Sequence, residues 1–181
     1  ARFASRPGKS ASGDPVSVQI LDKEYLIACP PEEQDDLLRA AALLDKRLRQ
    51  IREQGARRDY AGNVKLGEGG IREIEFVAQA LQIVRGGREP GLRVRGTLSA
   101  LDALSERGLL PLHAAASLRE SYTFLRNVEH RLQYRDDRQT HQLPDDPEER
   151  ALLADAMGLA SLAAFDAELA AHRAFVGMTF A

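Results

Sequence analysis

From Ile71 onward, apolar residues recur at the three- and four-residue spacing of a helix, and no stretch alternates as a strand would. That pattern restricts most of the chain to packed helices, with glycine and proline as punctuation. The spacing predicts a helix over Ile71–Val84, broken by Gly86-Gly87-Arg88-Glu89-Pro90-Gly91. A second runs from Thr97 to Arg107 with Leu98, Leu101 and Leu104 as its stripe, closed by Gly108. A longer one spans His113–Arg135, with Leu118, Tyr122, Leu125, Val128 and Leu132 inward. A loop over 136–144 precedes helices at Pro147–Met157 and Ser161–Val176, which Gly158 separates.

The front of the chain reads differently. Ala1 to Asp14 is small, polar and basic, and is predicted to be a disordered lead. Val16–Leu21 alternates apolar and polar residues, Asp22-Lys23 suits a tight turn, and Tyr25–Cys29 is β-rich up to Pro30-Pro31. This predicts a β-hairpin. A helix then starts with Glu32 and Glu33 near its positive end. It carries Leu37, Leu38, Ala41, Leu44, Leu48 and Ile51 at helical spacing and ends at Gly55. The expected fold is mainly α: a short N-terminal β-hairpin plus helix, followed by a helical bundle of about five helices.

Composition excludes several function classes. With a net charge of −2, no global field favours nucleic acid or an anionic membrane. Aromatics are 6% and Trp is absent, which is thin for base stacking. No apolar run approaches a membrane span. The lone Cys29 rules out an internal disulfide framework and suits a reducing compartment, so a cytoplasmic location is expected. Ala1–Pro7 is basic but lacks an apolar stretch, so it does not read as a secretory signal.

The most site-like word is Asn63-Val64-Lys65-Leu66-Gly67-Glu68-Gly69-Gly70-Ile71-Arg72-Glu73-Ile74-Glu75-Phe76. Its glycines permit close backbone approach, and the free N–H groups of the following helix would point at whatever sits over the turn. Lys65 is placed to reach an anion. The word is not a Walker loop, because no Gly-Lys-Ser/Thr follows, and no βαβ context makes it a dinucleotide fingerprint. On the following helix, Arg72, Glu75, Gln79 and Gln82 form a polar stripe between two apolar arcs. Either Glu75 and its neighbours line a polar cleft, or Arg72 and Glu75 pair with each other and with a neighbouring helix. Spacing favours the second.

Farther along, Arg126, Glu129, His130, Gln133 and Asp137 share one helix face, expected to be solvated. Glu129 and His130 are adjacent rather than three or four apart, and His113, His130, His141 and His172 are scattered, so no metal site is expected.

From about Arg57 onward these words resemble the bifunctional glutamine synthetase adenylyltransferase/adenylyl-removing enzyme. The carriers are the Asn63–Phe76 word and Arg85-Gly86-Gly87-Arg88-Glu89-Pro90. Phe124-Leu125-Arg126-x-Val128-Glu129-His130-Arg131-Leu132-Gln133 and Asp137-x-Gln139-Thr140-x-x-Leu143-Pro144 complete the set. They are closest to the adenylyl-removing half, in the helical region that follows its nucleotidyltransferase domain. The resemblance implies that Glu73 and Glu75 border the family's active cleft as catalytic-side candidates. Lys65, Gly69, Gly70 and Arg72 are the nucleotide- or phosphate-proximal candidates. The family's paired metal-binding aspartates have no counterpart in this sequence. Mg²⁺, ATP and ADP are therefore implied for the parent enzyme and no cofactor for this chain alone, which is expected to be inactive by itself. Glutamine synthetase and the PII signal protein are the implied partners of the parent. Phe76, Ala80 and Ile83 are expected to form the face that packs on the catalytic domain.

The front resembles another family. Val16–Tyr25, Ile27-Ala28-Cys29-Pro30 and Leu43–Arg52 are similar to ZapA, a cell-division protein that binds FtsZ. FtsZ is thus an implied partner of residues 15–55, although that family's long oligomerising helix is missing. Two unrelated patterns meeting near Gly55/Ala56 imply a chimera: a lead over 1–14, a truncated ZapA-like segment over 15–55, and a bundle over 56–181.

Overall fold

The computed structural model describes residues 15–20, 23–28, 30–55, 60–136 and 140–180. The expected lead, Cys29, and Asp137 of the charged face lie outside these residues. The fold is mainly α. Strands β1 (Pro15–Ile20) and β2 (Lys23–Ala28) precede helices α1 (Gln34–Gly55), α2 (Ile71–Arg85) and α3 (Thr97–Glu106). Helices α4 (Leu112–Asp136), α5 (Pro147–Ala156) and α6 (Leu162–Phe180) follow. The chain divides into two compact units, Ala1–Arg47 and Leu48–Ala181, and the division falls inside α1.

In the first unit β1 and β2 pair antiparallel, with Val16 opposite Ile27, Val18 opposite Tyr25 and Ile20 opposite Lys23. Val18, Ile20 and Ile27 are buried. The turn differs from expectation: Lys23 belongs to β2, so the connection is Leu21-Asp22, two residues outside those described. A turn at Asp22-Lys23 would shift the register by an even step and leave the same residues on the same face, so alternation cannot separate the two. In the observed register, the Ser17 hydroxyl donates to the Glu24 carboxylate. Asp35 and Asp36 sit in the first turn of α1, where the dipole favours them. Of the expected α1 stripe, Ala41 and Leu48 are buried, whereas Leu38 is exposed.

The second unit holds the main core. Ile71 and Ile74 from α2, Leu101 and Leu104 from α3, Leu118, Leu125 and Val128 from α4, and Phe165 and Val176 from α6 are fully enclosed. Burial of each such side chain stabilises by about 1.5–3 kcal/mol. Among the described residues after α1, helices α2 to α6 make this bundle, as their spacing implies. Local signals fix two starts: Asp146 accepts the Glu148 N–H at 3.0 Å with Pro147 in the first turn of α5, and the Ser161 hydroxyl accepts the Ala164 N–H at 3.1 Å at α6.

One pairing was not expected in an all-helical region. Asn63 and Gln142 form an antiparallel bridge, flanked by Val64 N–H to the His141 carbonyl and Leu143 N–H to the Gly62 carbonyl, both 2.9 Å. The segment before α2 and the loop after α4 are thereby tied together.

Candidate functional site

The glycine turn closes on itself and on α6. Asn63 Oδ1 accepts the N–H groups of Lys65 (3.0 Å) and Leu66 (2.8 Å), which starts the turn. The chain then folds back over the start of α2. Ile71 N–H donates to the Val64 carbonyl, Arg72 N–H to Lys65 and Glu73 N–H to Gly70, each at 3.1 Å. The expectation of free N–H groups aimed at a ligand is corrected by this geometry: the turn's own carbonyls occupy that place.

Gly69 has φ 68°, and a Cβ there would overlap the Arg173 carbonyl of α6. Gly67 is tight against the Arg173 guanidinium and the Asn63 and Tyr60 carbonyls. Both glycines thus serve close packing of the turn on α6.

Arg173 fastens this joint, and nothing in its local sequence signals the role. Its Nε donates to the Glu68 carbonyl at 2.7 Å and its Nη1 to the Ala61 carbonyl at 2.8 Å. Burial lowers its pKa from the usual arginine value, while the Glu73 and Glu68 carboxylates act to raise it. Glu73 is only 3% exposed and serves as a countercharge to Arg173.

The two carboxylates proposed from the sequence are not brought together. Glu75 is half-buried on another side of α2, with the Tyr122 hydroxyl of α4 at 3.5 Å. It lines a cavity of about 230 Å³ with Gln79, Gln82 and Thr97. The expected Arg72–Glu75 pair does not form. The exposed Arg72 guanidinium lies 5.9 Å from the centre of the Phe76 ring instead, a cation–π distance. Gln82 is structural: its Nε2 donates to the Leu92 (2.6 Å) and Val94 (3.1 Å) carbonyls. Of the expected outward face, Ile83 is 64% exposed, Phe76 is half-buried and Ala80 is buried inside the bundle.

The charged face of α4 is also corrected. His130 is exposed, but Glu129 is 1% exposed. Its carboxylate takes an ion pair from Arg126 one turn earlier. Lys65 Nζ of the glycine turn lies 3.6 Å from Glu129 Oε1, and His141 Nδ1 lies 2.9 Å from the same oxygen. The His141 contact misses hydrogen-bond angles. Glu129 Oε1 and His141 Nδ1 therefore have no hydrogen-bond partner among the described residues. Glu129 thus contacts both segments that the Asn63–Gln142 bridge joins. The signal that could have revealed this burial is the apolar context of Leu125, Val128 and Leu132 around it. Among the described residues no three His, Cys, Asp or Glu side chains cluster as a metal site requires. No helix among them is long and apolar enough to cross a membrane.

A helical bundle with a self-closed glycine joint at its front is what the geometry defines. The chain belongs to the family described as GlnD PII-uridylyltransferase, whose model matches residues 45–181. The model of the cell division protein ZapA matches residues 16–64, so the two matched ranges overlap over 45–64, an interval containing Gly55/Ala56. Three relatives are each named bifunctional glutamine synthetase adenylyltransferase/adenylyl-removing enzyme. That of Aromatoleum aromaticum is 53% identical over 131 residues, 72% of this chain and 14% of its own length. That of Bordetella pertussis is 52% identical over 149 residues, 80% of this chain and 16% of its own length. That of Chromobacterium violaceum is 55% identical over 116 residues, covering 64% and 13% respectively. The chain thus spans 13–16% of the length of these curated relatives.

Proposed function

We propose that the bundle is a helical segment bordering the nucleotidyl-transfer cleft of an enzyme that adenylylates and deadenylylates glutamine synthetase. The observation that carries this reading is the 52% identity to the Bordetella relative across four-fifths of the chain. In deadenylylation, phosphate attacks the phosphorus of the phosphodiester joining AMP to the target tyrosine; the new P–O–P bond makes ADP, the P–O bond to tyrosine breaks, and the phenol oxygen leaves and takes up a proton. Among the described residues the donor set does not fit Mg²⁺: Glu73 and Glu75 lie on different sides of α2, and no three His, Cys, Asp or Glu side chains cluster there. Mg²⁺, ATP and the PII signal protein therefore belong to the parent enzyme in this reading. The chain's residues shape the cleft wall. Lys65 and Arg72 are the cationic side chains at the turn that reach solvent, and Glu75 faces its own small cavity.

Grafting residues 57–181 into the Bordetella enzyme, in place of its matching segment, tests the reading. Deadenylylation should stay within about tenfold of the parent, because a cleft wall of the same family supplies the same positioning. A folded graft without measurable ADP release contradicts it. The isolated chain, given adenylylated glutamine synthetase, phosphate and Mg²⁺, is expected to release no ADP.

The ZapA match over residues 16–64 favours a second reading for the front of the chain, a segment that contacts FtsZ and is joined to the bundle near Gly55/Ala56. Co-sedimentation with FtsZ filaments checks it, and absence of the chain from the pellet sinks it. A single weak contact without oligomerisation lacks avidity, so any association is expected to be weak.

A further inference from the structure

We infer that Glu129 is the positioning residue of the glycine turn: its buried carboxylate clasps Lys65 on one side and His141 on the other. This rests on the preceding reading only for the statement that the turn borders a cleft. The clasp itself follows from geometry. Glu129 is 1% exposed, and a carboxylate buried that deeply needs close polar partners. Arg126, on the same helix, is one and holds no loop. The other contacts come from distant segments: Lys65 Nζ at 3.6 Å from the turn, and His141 Nδ1 at 2.9 Å from the loop after α4. These two segments are the ones joined by the Val64–His141 and Leu143–Gly62 backbone bonds. Lys65, Arg126 and His141 are the charged or titratable groups facing the carboxylate among the described residues. Lys65 also gives its carbonyl to the Arg72 N–H, so fixing its side chain fixes the entry to α2. The lysine that reaches solvent at the turn is thereby aimed by a carboxylate on α4.

The test is residue-resolved amide hydrogen exchange on the full chain, which needs no enzymatic activity and so stands apart from the grafting experiment. In Glu129→Gln, the Val64 and Leu143 amides should exchange on the order of tenfold faster, while Leu101 in α3 and Leu153 in α5 change less than about twofold. Lys65→Met and His141→Gln each remove one arm and leave the carboxylate paired with Arg126. Each should accelerate the same two amides, and that acceleration should vanish when Glu129→Gln is already present. Wild-type rates at Val64 and Leu143 in folded Glu129→Gln overturn the inference. So does equal acceleration in α3 and α5, which would make Glu129 a support of the whole bundle. If Glu129→Gln does not fold, the single-arm variants decide, and wild-type rates in both overturn it.

Discussion

Two glycine stretches flank α2, and each has an arginine on its carbonyls. Before the helix, Arg173 donates to the Glu68 and Ala61 carbonyls; after it, Arg93 donates to Gly86 (2.7 Å) and Gly87 (3.1 Å). The likeness ends there. Arg173 comes from α6, more than a hundred residues along the chain, and brings its backbone against Gly69. Arg93 is a near neighbour in sequence and is exposed, and a Cβ on Gly87 would meet open space. The first stretch is therefore a tertiary joint and the second a local turn. Glycine-rich words of similar appearance differ in role because of what the fold places against them, which the words themselves do not encode.

Removing the fasteners should separate the two. Arg173→Ala leaves two carbonyls without their donor and the buried Glu73 without this countercharge, so a loss of about 2–4 kcal/mol in equilibrium unfolding is expected. Arg93→Ala should cost under about 1 kcal/mol; equal losses would break the distinction. Next in size is Asn63→Ala, which deletes the side-chain acceptor of two turn N–H groups and should cost about 1–2 kcal/mol in the same assay. The smallest effect belongs to the other unit: Arg39→Ala on α1 removes an i, i+3 pair with Asp36 whose side chains are both 77% exposed. Less than about 0.5 kcal/mol is expected.

Local structure was legible in the sequence wherever neighbours on one helix determine it. Of the apolar stripes of α3 and α4, Leu101, Leu104, Leu118, Leu125, Val128 and Leu132 fall in the core as their spacing implies, while Leu98 and Tyr122 are half-buried; Asp146-Pro147 starts α5 as a cap and proline should. The Lys23 register was not legible, because two even-step registers bury the same face. Burial of Glu129 was not legible either, because it depends on Lys65 and His141 arriving from separate loops. The family resemblance implies that Glu73 and Glu75 both border the cleft, yet two residues along a helix turn side chains to nearly opposite sides. Arg173 carried no local signal at all, since its partners are backbone carbonyls of a remote turn. The family words were the most readable feature of the joint, and the reason for its glycines emerged only with α6 in place.

Gly69 is the residue at which the turn meets α6 most closely. Equilibrium unfolding of Gly69→Ala and Gly87→Ala in the full chain compares the packed joint with the open turn. Gly69→Ala must accommodate both a left-handed φ and an overlap with the Arg173 carbonyl, so a loss of about 2–4 kcal/mol is expected. Gly87→Ala is expected to stay within about 1 kcal/mol of the parent chain. Equal, small effects from both substitutions would contradict the claim that the glycine turn is a joint closed against α6.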